Sequence, residues 1–228
     1  FDSEKTSEIL AELDEDVREK ILQELSVKEI ADEIEELDSD DAADILGELP
    51  DQRKDEVISE ISDNALADDL KELLSYEENS AGGLMAKELV KANENWSVTK
   101  CLKEIKQQGE NVTRVHSIYV VDDKEKLIGR LSLKDLITSH SKKLIKDIYI
   151  PKVDSVNVFE DGEEVAKIMS KYDLEAIPVI NNKKQLLGRL TIDDIVALIK
   201  DEAEEDYLLA AVFRTSWWVR QCFYFGRF

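Results

Sequence analysis

Sulfur and imidazole are scarce in this 228-residue chain, which has two cysteines, Cys101 and Cys222, and two histidines, His116 and His140. Neither cysteine belongs to a Cys-x-x-Cys pair, so neither a disulfide framework nor a zinc site is supported, and the setting reads as a reducing cytosol. No apolar run approaches the roughly 18 to 20 residues that a membrane helix needs. There is no phosphate loop, no nucleophile with a histidine partner and no dense His/Asp triad, which leaves enzyme function without support. Basic residues are also few: 30 Lys and Arg face 52 Asp and Glu, for a formal net charge of -22. Such a field repels phosphate backbones and anionic lipid, so nucleic acid is a poor partner and a cation or a basic protein a better one. The chain opens on Phe1-Asp2 without Met or an export leader, and is expected to be a soluble cytosolic fragment.

What is present is a hydrophobic fraction of 43%, enough for a core, in a length that suits one large or two small domains. The charge is unevenly placed. Residues 1 to 80 hold 29 acidic and 7 basic side chains, whereas residues 81 to 228 hold 23 of each.

The acidic third carries a twelve-residue repeat. Leu13, Leu25, Leu37, Leu49, Ile61 and Leu73 are twelve apart, and Leu10, Leu22, Ile34, Leu46, Ile58 and Leu70 precede them by three. Each unit thus has an i, i+3 apolar pair on one helical face. The following residue is Asp14, Ser26, Asp38, Pro50 or Ser62, types that start helices, and Ser26 with Glu29 forms a capping box. The unit is a helix of about two turns plus a tight turn, and such units must stack to bury their faces. Most of the carboxylates serve solubility. Asp38, Asp40, Asp41 and Asp44 are clustered, and Asp40 and Asp44 at i, i+4 repel one another unless a cation lies between them.

A second repeat is 59 residues long. His116-Ser-Ile-Tyr-Val-Val-Asp-Asp-Lys-Glu-Lys-Leu-Ile-Gly-Arg-Leu131 is matched by Glu175-Ala-Ile-Pro-Val-Ile-Asn-Asn-Lys-Lys-Gln-Leu-Leu-Gly-Arg-Leu190. Each copy predicts a hairpin, preceded by an amphipathic helix (Val98 to Gln107, Glu163 to Lys171) and followed by another (Leu131 to Ile137, Leu190 to Val196). The unit is β-α-β-β-α, present twice. Gly-Arg-Leu-[Ser/Thr]-x-x-Asp after a hairpin at this spacing resembles a tandem pair of cystathionine-β-synthase-type (CBS) domains. That resemblance implies a disc-like pair, often binding adenine nucleotides such as ATP, with ribose contacts at Ser132 and Asp135 in the first copy and Thr191 and Asp194 in the second. The same residues can instead cap the helices they begin. Lys134 is the one cation near the motif, on the first copy.

Between the repeats, Tyr76-Glu-Glu-Asn-Ser-Ala-Gly-Gly-Leu-Met85 has two adjacent glycines, read as a flexible junction with accessible carbonyls and freedom for positive φ. With the acidic repeat before it and the CBS pair after it, this segment resembles the MgtE-type magnesium channels over roughly residues 7 to 210. The resemblance implies the cytosolic part of a multi-pass membrane protein. The fold class is α+β, with an acidic superhelical domain (1-80), a first CBS domain (81-143), a second (144-198) and the start of a connecting "plug" helix (199-210). It further implies a homodimer through the CBS domains, beneath a pore domain at the cytoplasmic face of the membrane.

Mg²⁺ would hold such a pore shut. By the resemblance its ligands fall at Glu8, Asp40 and Asp44, at the Gly83 carbonyl, at Glu163, Asp173 and Asp194, and at Glu202, Glu205 and Asp206. One usual acidic position is Ala197 here. The five carboxylates of Asp201-Glu-Ala-Glu-Glu-Asp206 suit a small hard ion that keeps several waters. The expected mechanism is electrostatic: the acidic domain is pushed from the plug helix and CBS pair until bound cations bridge them. The alternatives are a CBS module sensing adenine nucleotide and a helical-repeat scaffold for a basic protein. Residues 211-228 hold seven of the fifteen aromatic residues, together with Arg214, Arg220 and Arg227. Such a tail suits a cytoplasmic membrane interface or an added end, and is assigned no role.

Overall fold

A computed structural model of the chain describes residues 3-109, 112, 115 and 117-200. The acidic third folds into six helices: α1 (Ser3–Ala11), α2 (Glu15–Glu24), α3 (Val27–Ile34), α4 (Ser39–Gly47), α5 (Asp51–Glu60) and α6 (Asn64–Leu73). The twelve-residue period is the helix period. Asp14, Ser26, Asp38 and Pro50 stand at the N-caps, as the spacing predicts, and the last start slips by one residue from Ser62 to Asp63. The slip has a local cause: the Asp63 carboxylate accepts from the N–H groups of Ala65 (2.8 Å) and Leu66 (3.4 Å), bonds that outcompete a hydroxyl start. Ser26 and Glu29 close the capping box.

Each unit alone is too short to be stable, so its apolar pair must find neighbours. Ile34, Leu46 and Leu70 reach full burial, and the chief contacts run between alternate helices, α3 with α5 and α4 with α6. This is the layout of a small superhelix.

The remainder forms two copies of one unit. The first comprises β1 (Val90–Asn93), α7 (Val98–Gln108), β2 (Ile118–Val121), β3 (Leu127–Leu131) and α8 (Leu133–Thr138), with a 3-10 turn at Ile145–Asp147. The second comprises β4 (Val156–Asn157), α9 (Gly162–Tyr172), β5 (Ala176–Ile180), β6 (Leu186–Thr191) and α10, helical over 192-200. In both sheets the first strand is parallel to the second and the second antiparallel to the third. The two hairpin turns face one another, with the Leu127 N–H on the Lys184 carbonyl (2.9 Å) and the Leu186 N–H on the Glu125 carbonyl (3.0 Å).

The glycine of each Gly-Arg-Leu motif has a shared reason. In the first copy the Ile150 segment crosses β3, and in the second the Ala86 segment crosses β6. Arg130 and Ile150 exchange backbone hydrogen bonds of 3.0 and 2.8 Å, and Arg189 and Ala86 exchange two of 2.9 Å. A Cβ on Gly188 would stand 2.7 Å from the Ala86 carbonyl, and one on Gly129 would meet the Ile150 carbonyl, so the crossings require glycine.

The Ala81-Gly-Gly83 junction departs from the expected flexible hinge. Neither glycine has positive φ. The Ala81 and Gly82 N–H groups donate to the Glu160 (2.7 Å) and Val158 (2.8 Å) carbonyls, and Gly83 donates to Ser80 (3.0 Å). Clearance is what the glycines provide: a Cβ on Gly82 would meet the Tyr76 ring at 2.6 Å, and one on Gly83 would meet the Glu77 and Glu78 carbonyls at 2.5 and 2.6 Å. The junction is a packed wedge. One continuous core runs from Leu10 through Leu73, Ala81 and Met85 to Val156 and Leu190 of the second copy, while the first copy keeps its own core around Val120 and Leu136.

Candidate metal centre

Because Ala86 pairs with β6, the next residues of the junction, Lys87 and Glu88, lie between the second CBS copy and the start of α4. The Glu88 carboxylate accepts from the Ser39 N–H (3.2 Å) and hydroxyl (2.9 Å), and the Ser39 hydroxyl accepts from the Lys87 N–H (2.8 Å). Asp38, the N-cap residue of α4, makes no capping bond with its own side chain. Glu88 therefore caps α4 from the opposite domain, where the exposed N–H groups and helix dipole favour an anion. Asp38, Asp40 and Glu88 bring carboxylate oxygens within 4.8 Å of one another.

The electrostatics around this point are unfavourable. Asp40 is held well above the usual carboxylate range, first by desolvation and then by Asp194, Asp41 and Glu88. Asp41 and Asp44 keep exposed side chains on α4. Desolvation pushes their carboxyls up to about 6 and about 7, with Asp38 and Asp194 adding to the first and Asp41 to the second. Desolvation also raises Glu88 and Asp194. For Asp194 the N–H and hydroxyl of Thr191, at 2.6 and 2.8 Å, and the Arg189 charge work the other way.

Of the residues expected from the sequence, Asp40, Asp44 and Asp194 share this electrostatic neighbourhood, and Gly83 lies on the same junction. Glu163 and Asp173 are not among the acids that raise these carboxyls. They occupy opposite ends of α9, an eleven-residue helix about 16 Å long, and Glu163 lies 3.6 Å from Lys167. Glu202, Glu205, Asp206 and the 211-228 tail lie outside the described residues, as does the side chain of Glu8. Glu88 and Arg189 were not legible as site residues. Glu88 is one acid among many in the sequence, and its position depends on the Ala86 pairing with β6.

At the nucleotide positions the copies differ. Thr191 and Asp194 are bonded to each other in the capping arrangement, whereas Ser132 makes no side-chain capping bond. An apolar cleft of about 10 Å³ in the CBS pair is lined by Leu89, Val90, Val112, Val115, Ser117, Tyr119 and Arg189.

The donor set at the interface, oxygen only and largely carboxylate, suits a hard divalent cation. Carboxylate oxygens gathered within 4.8 Å of one another from both faces suit an ion of this kind that keeps several of its waters.

An acidic helical superhelix seated on a CBS pair, with carboxylates gathered at the seam, defines a class of two-part module. Residues 1-79 match the MgtE intracellular N domain, and residues 81-141 and 145-201 match the CBS domain. The chain belongs to the MgtE family. It is 39% identical over 131 residues to the magnesium transporter MgtE of Thermus thermophilus, covering 58% of this chain and 29% of that protein. To the Enterococcus faecalis MgtE it is 40% identical over 134 residues, covering 59% and 30%. The chain thus spans about 30% of the length of these relatives. Among solved structures, the cytosolic domain of the Mg²⁺ channel MgtE in complex with ATP superposes with a TM-score of 0.79 at 32% identity, covering 86% of this chain and 80% of that one. The soluble part of a magnesium transporter gives 0.79 at 34%, covering 89% and 80%. No helix among the described residues is long and apolar enough to cross a membrane.

Proposed function

We propose that this chain is the Mg²⁺-sensing and gating region of a magnesium channel or transporter, acting as a homodimer at the cytoplasmic face of the membrane below its own pore domain. The observation that carries the reading is the gathering of Asp38, Asp40 and Glu88, with Asp41, Asp44 and Asp194 close by, from both sides of the domain seam. Ionised carboxylates crowded in a partly dehydrated seam repel one another. A hydrated Mg²⁺ relieves that repulsion only while the faces are together, so it favours the docked arrangement by its differential affinity. Glu163, Asp173, Glu202, Glu205 and Asp206 would serve further ions toward the plug helix, and Glu8 and the Gly83 carbonyl would complete the set on the helical side. In the intact protein the docked state closes the pore.

A second ligand is favoured by the similarity to a structure solved with ATP. Thr191 and Asp194 are committed to each other, so an adenine nucleotide would use Ser132 and Asp135 of the first copy, beside Lys134. One titration tests both readings: scattering and melting temperature are followed with Mg²⁺, with Ca²⁺ and with ATP. Millimolar-range Mg²⁺ is expected to compact the chain and raise its melting temperature by mass action. Profiles indifferent to Mg²⁺ would remove the sensing role, and an ATP shift that survives Asp135→Ala would remove the nucleotide site.

A further inference from the structure

The seam contains cations of its own. Arg189 is 7% exposed, deep for a guanidinium, and the adjoining junction fixes its direction. Its Nε donates to the Glu88 carbonyl at 2.7 Å, and its Nη2 lies 3.7 Å from Asp38 at the head of α4. Lys87, whose side chain is 9% exposed, reaches the other way, to Glu72 at 2.7 Å and Asp69 at 4.0 Å on α6. Ser39, fully buried, joins the two contacts through Glu88 and the Lys87 N–H. The first CBS copy supplies the internal comparison. Its motif arginine, Arg130, makes the same backbone pairing with a crossing segment, yet its side chain is exposed because no acidic domain docks there. The shared sequence motif therefore does not account for the burial of Arg189; the seam does.

We propose that Arg189, with Lys87 and the Ser39–Glu88 bond, forms a built-in cationic clamp that holds the acidic domain partly docked without any divalent ion and so sets how much Mg²⁺ is needed to complete docking. Rigid guanidinium donors shared between a carbonyl and a carboxylate act as a fixed counter-ion, and a fixed charge costs no ion capture from solution. The continuous apolar core through Ala81 and Met85 supports the same metal-free docking. Removing the arginine leaves Asp38, Asp40 and Glu88 with one positive charge fewer among them, a deficit that Mg²⁺ must then make up. This inference rests on the Mg²⁺-sensing reading for the ion threshold, but not for the docking itself.

The test compares the 228-residue wild-type chain with Arg189→Gln, Arg189→Lys and Ser39→Ala by small-angle scattering, first in EDTA and then along a Mg²⁺ titration. Arg189→Gln is expected to be expanded in EDTA and to need about tenfold more Mg²⁺ to reach the wild-type compact profile, the rise that losing one charged contact gives. Arg189→Lys, which keeps the charge and loses the fork, should fall between them. An Arg189→Gln chain that melts cooperatively yet matches wild type in EDTA overturns the clamp. If that variant does not fold, Ser39→Ala decides, because it lies on the opposite domain and alanine suits the first helical position: expansion in EDTA supports the clamp, and an unchanged profile overturns it. A wild-type chain that ignores Mg²⁺ would remove the sensing reading, while the EDTA comparison would still decide the clamp.

Discussion

Asp41 and Asp44 show how a surface charge becomes a working one. Their carboxyls are pushed up to about 6 and about 7, first by the loss of water around them and then by neighbouring acids, with Arg18 opposing. Since these values exceed the ordinary 3.8, the folded chain holds more protons than the unfolded chain between 3.8 and about 7. The contribution of these groups to stability is therefore greatest below that window, declines as pH rises through it and stays lost above. In EDTA, Asp44→Asn should melt higher than wild type at about pH 7.5, with the gain shrinking toward about pH 4.5. Equal differences at both pH values would show that Asp44 carries no desolvation cost. Saturating Mg²⁺ should also shrink the gain, because the ion neutralises what the substitution removes. The residue scale is also where sequence reading stopped short. Asp40, Asp41 and Asp44 were visible as a cluster, but Glu88 and Arg189 acquire meaning only from the Ala86 crossing of β6. That crossing is a long-range pairing that no local pattern encodes.

Elements were far more legible, because their signals are local. The twelve-residue period fixed four of the five helix starts between α1 and α6, and the duplicated hairpins gave both sheets. The junction misled for a physical reason: adjacent glycines signal either conformational freedom or close approach, and only packing tells which. Here Tyr76, Val158 and the Glu77 and Glu78 carbonyls occupy the space where side chains would stand. The repeat also predicts where the superhelix is most sensitive. Leu46 is fully buried in α4, the helix that bears Asp40 and Asp44, so Leu46→Ala should cost about 2 to 5 kcal/mol in urea unfolding. Val17, 42% exposed on α2, should cost within about 0.5 kcal/mol on the same change. Similar losses at both positions would mean that the helices do not bury the face their spacing defines. Because α4 presents the acidic cluster, Leu46→Ala should also weaken the response to Mg²⁺.

Across the whole molecule the question is whether a net charge of -22 acts as a diffuse field or at a point. A diffuse field is relieved by any salt, since exposed charges more than about 8 Å apart are largely screened at about 0.15 M ionic strength. A seam holding Asp38, Asp40 and Glu88 within 4.8 Å is inside that distance and partly dehydrated, so monovalent ions screen it poorly. The two cases separate in one measurement. NaCl at about 0.15 M should contract the metal-free chain modestly and leave the Mg²⁺ midpoint within a few-fold of its low-salt value. If NaCl alone reproduced the full Mg²⁺-induced compaction, the acidic domain would be responding to ionic strength, and the seam carboxylates would have no specific part in it. Since the domains already share an apolar core and two buried basic contacts, the expected motion is a tightening of a seam that is partly closed at the start. A small scattering change with a steep Mg²⁺ dependence is the signature of that geometry, and a large change spread over several decades of concentration would contradict it.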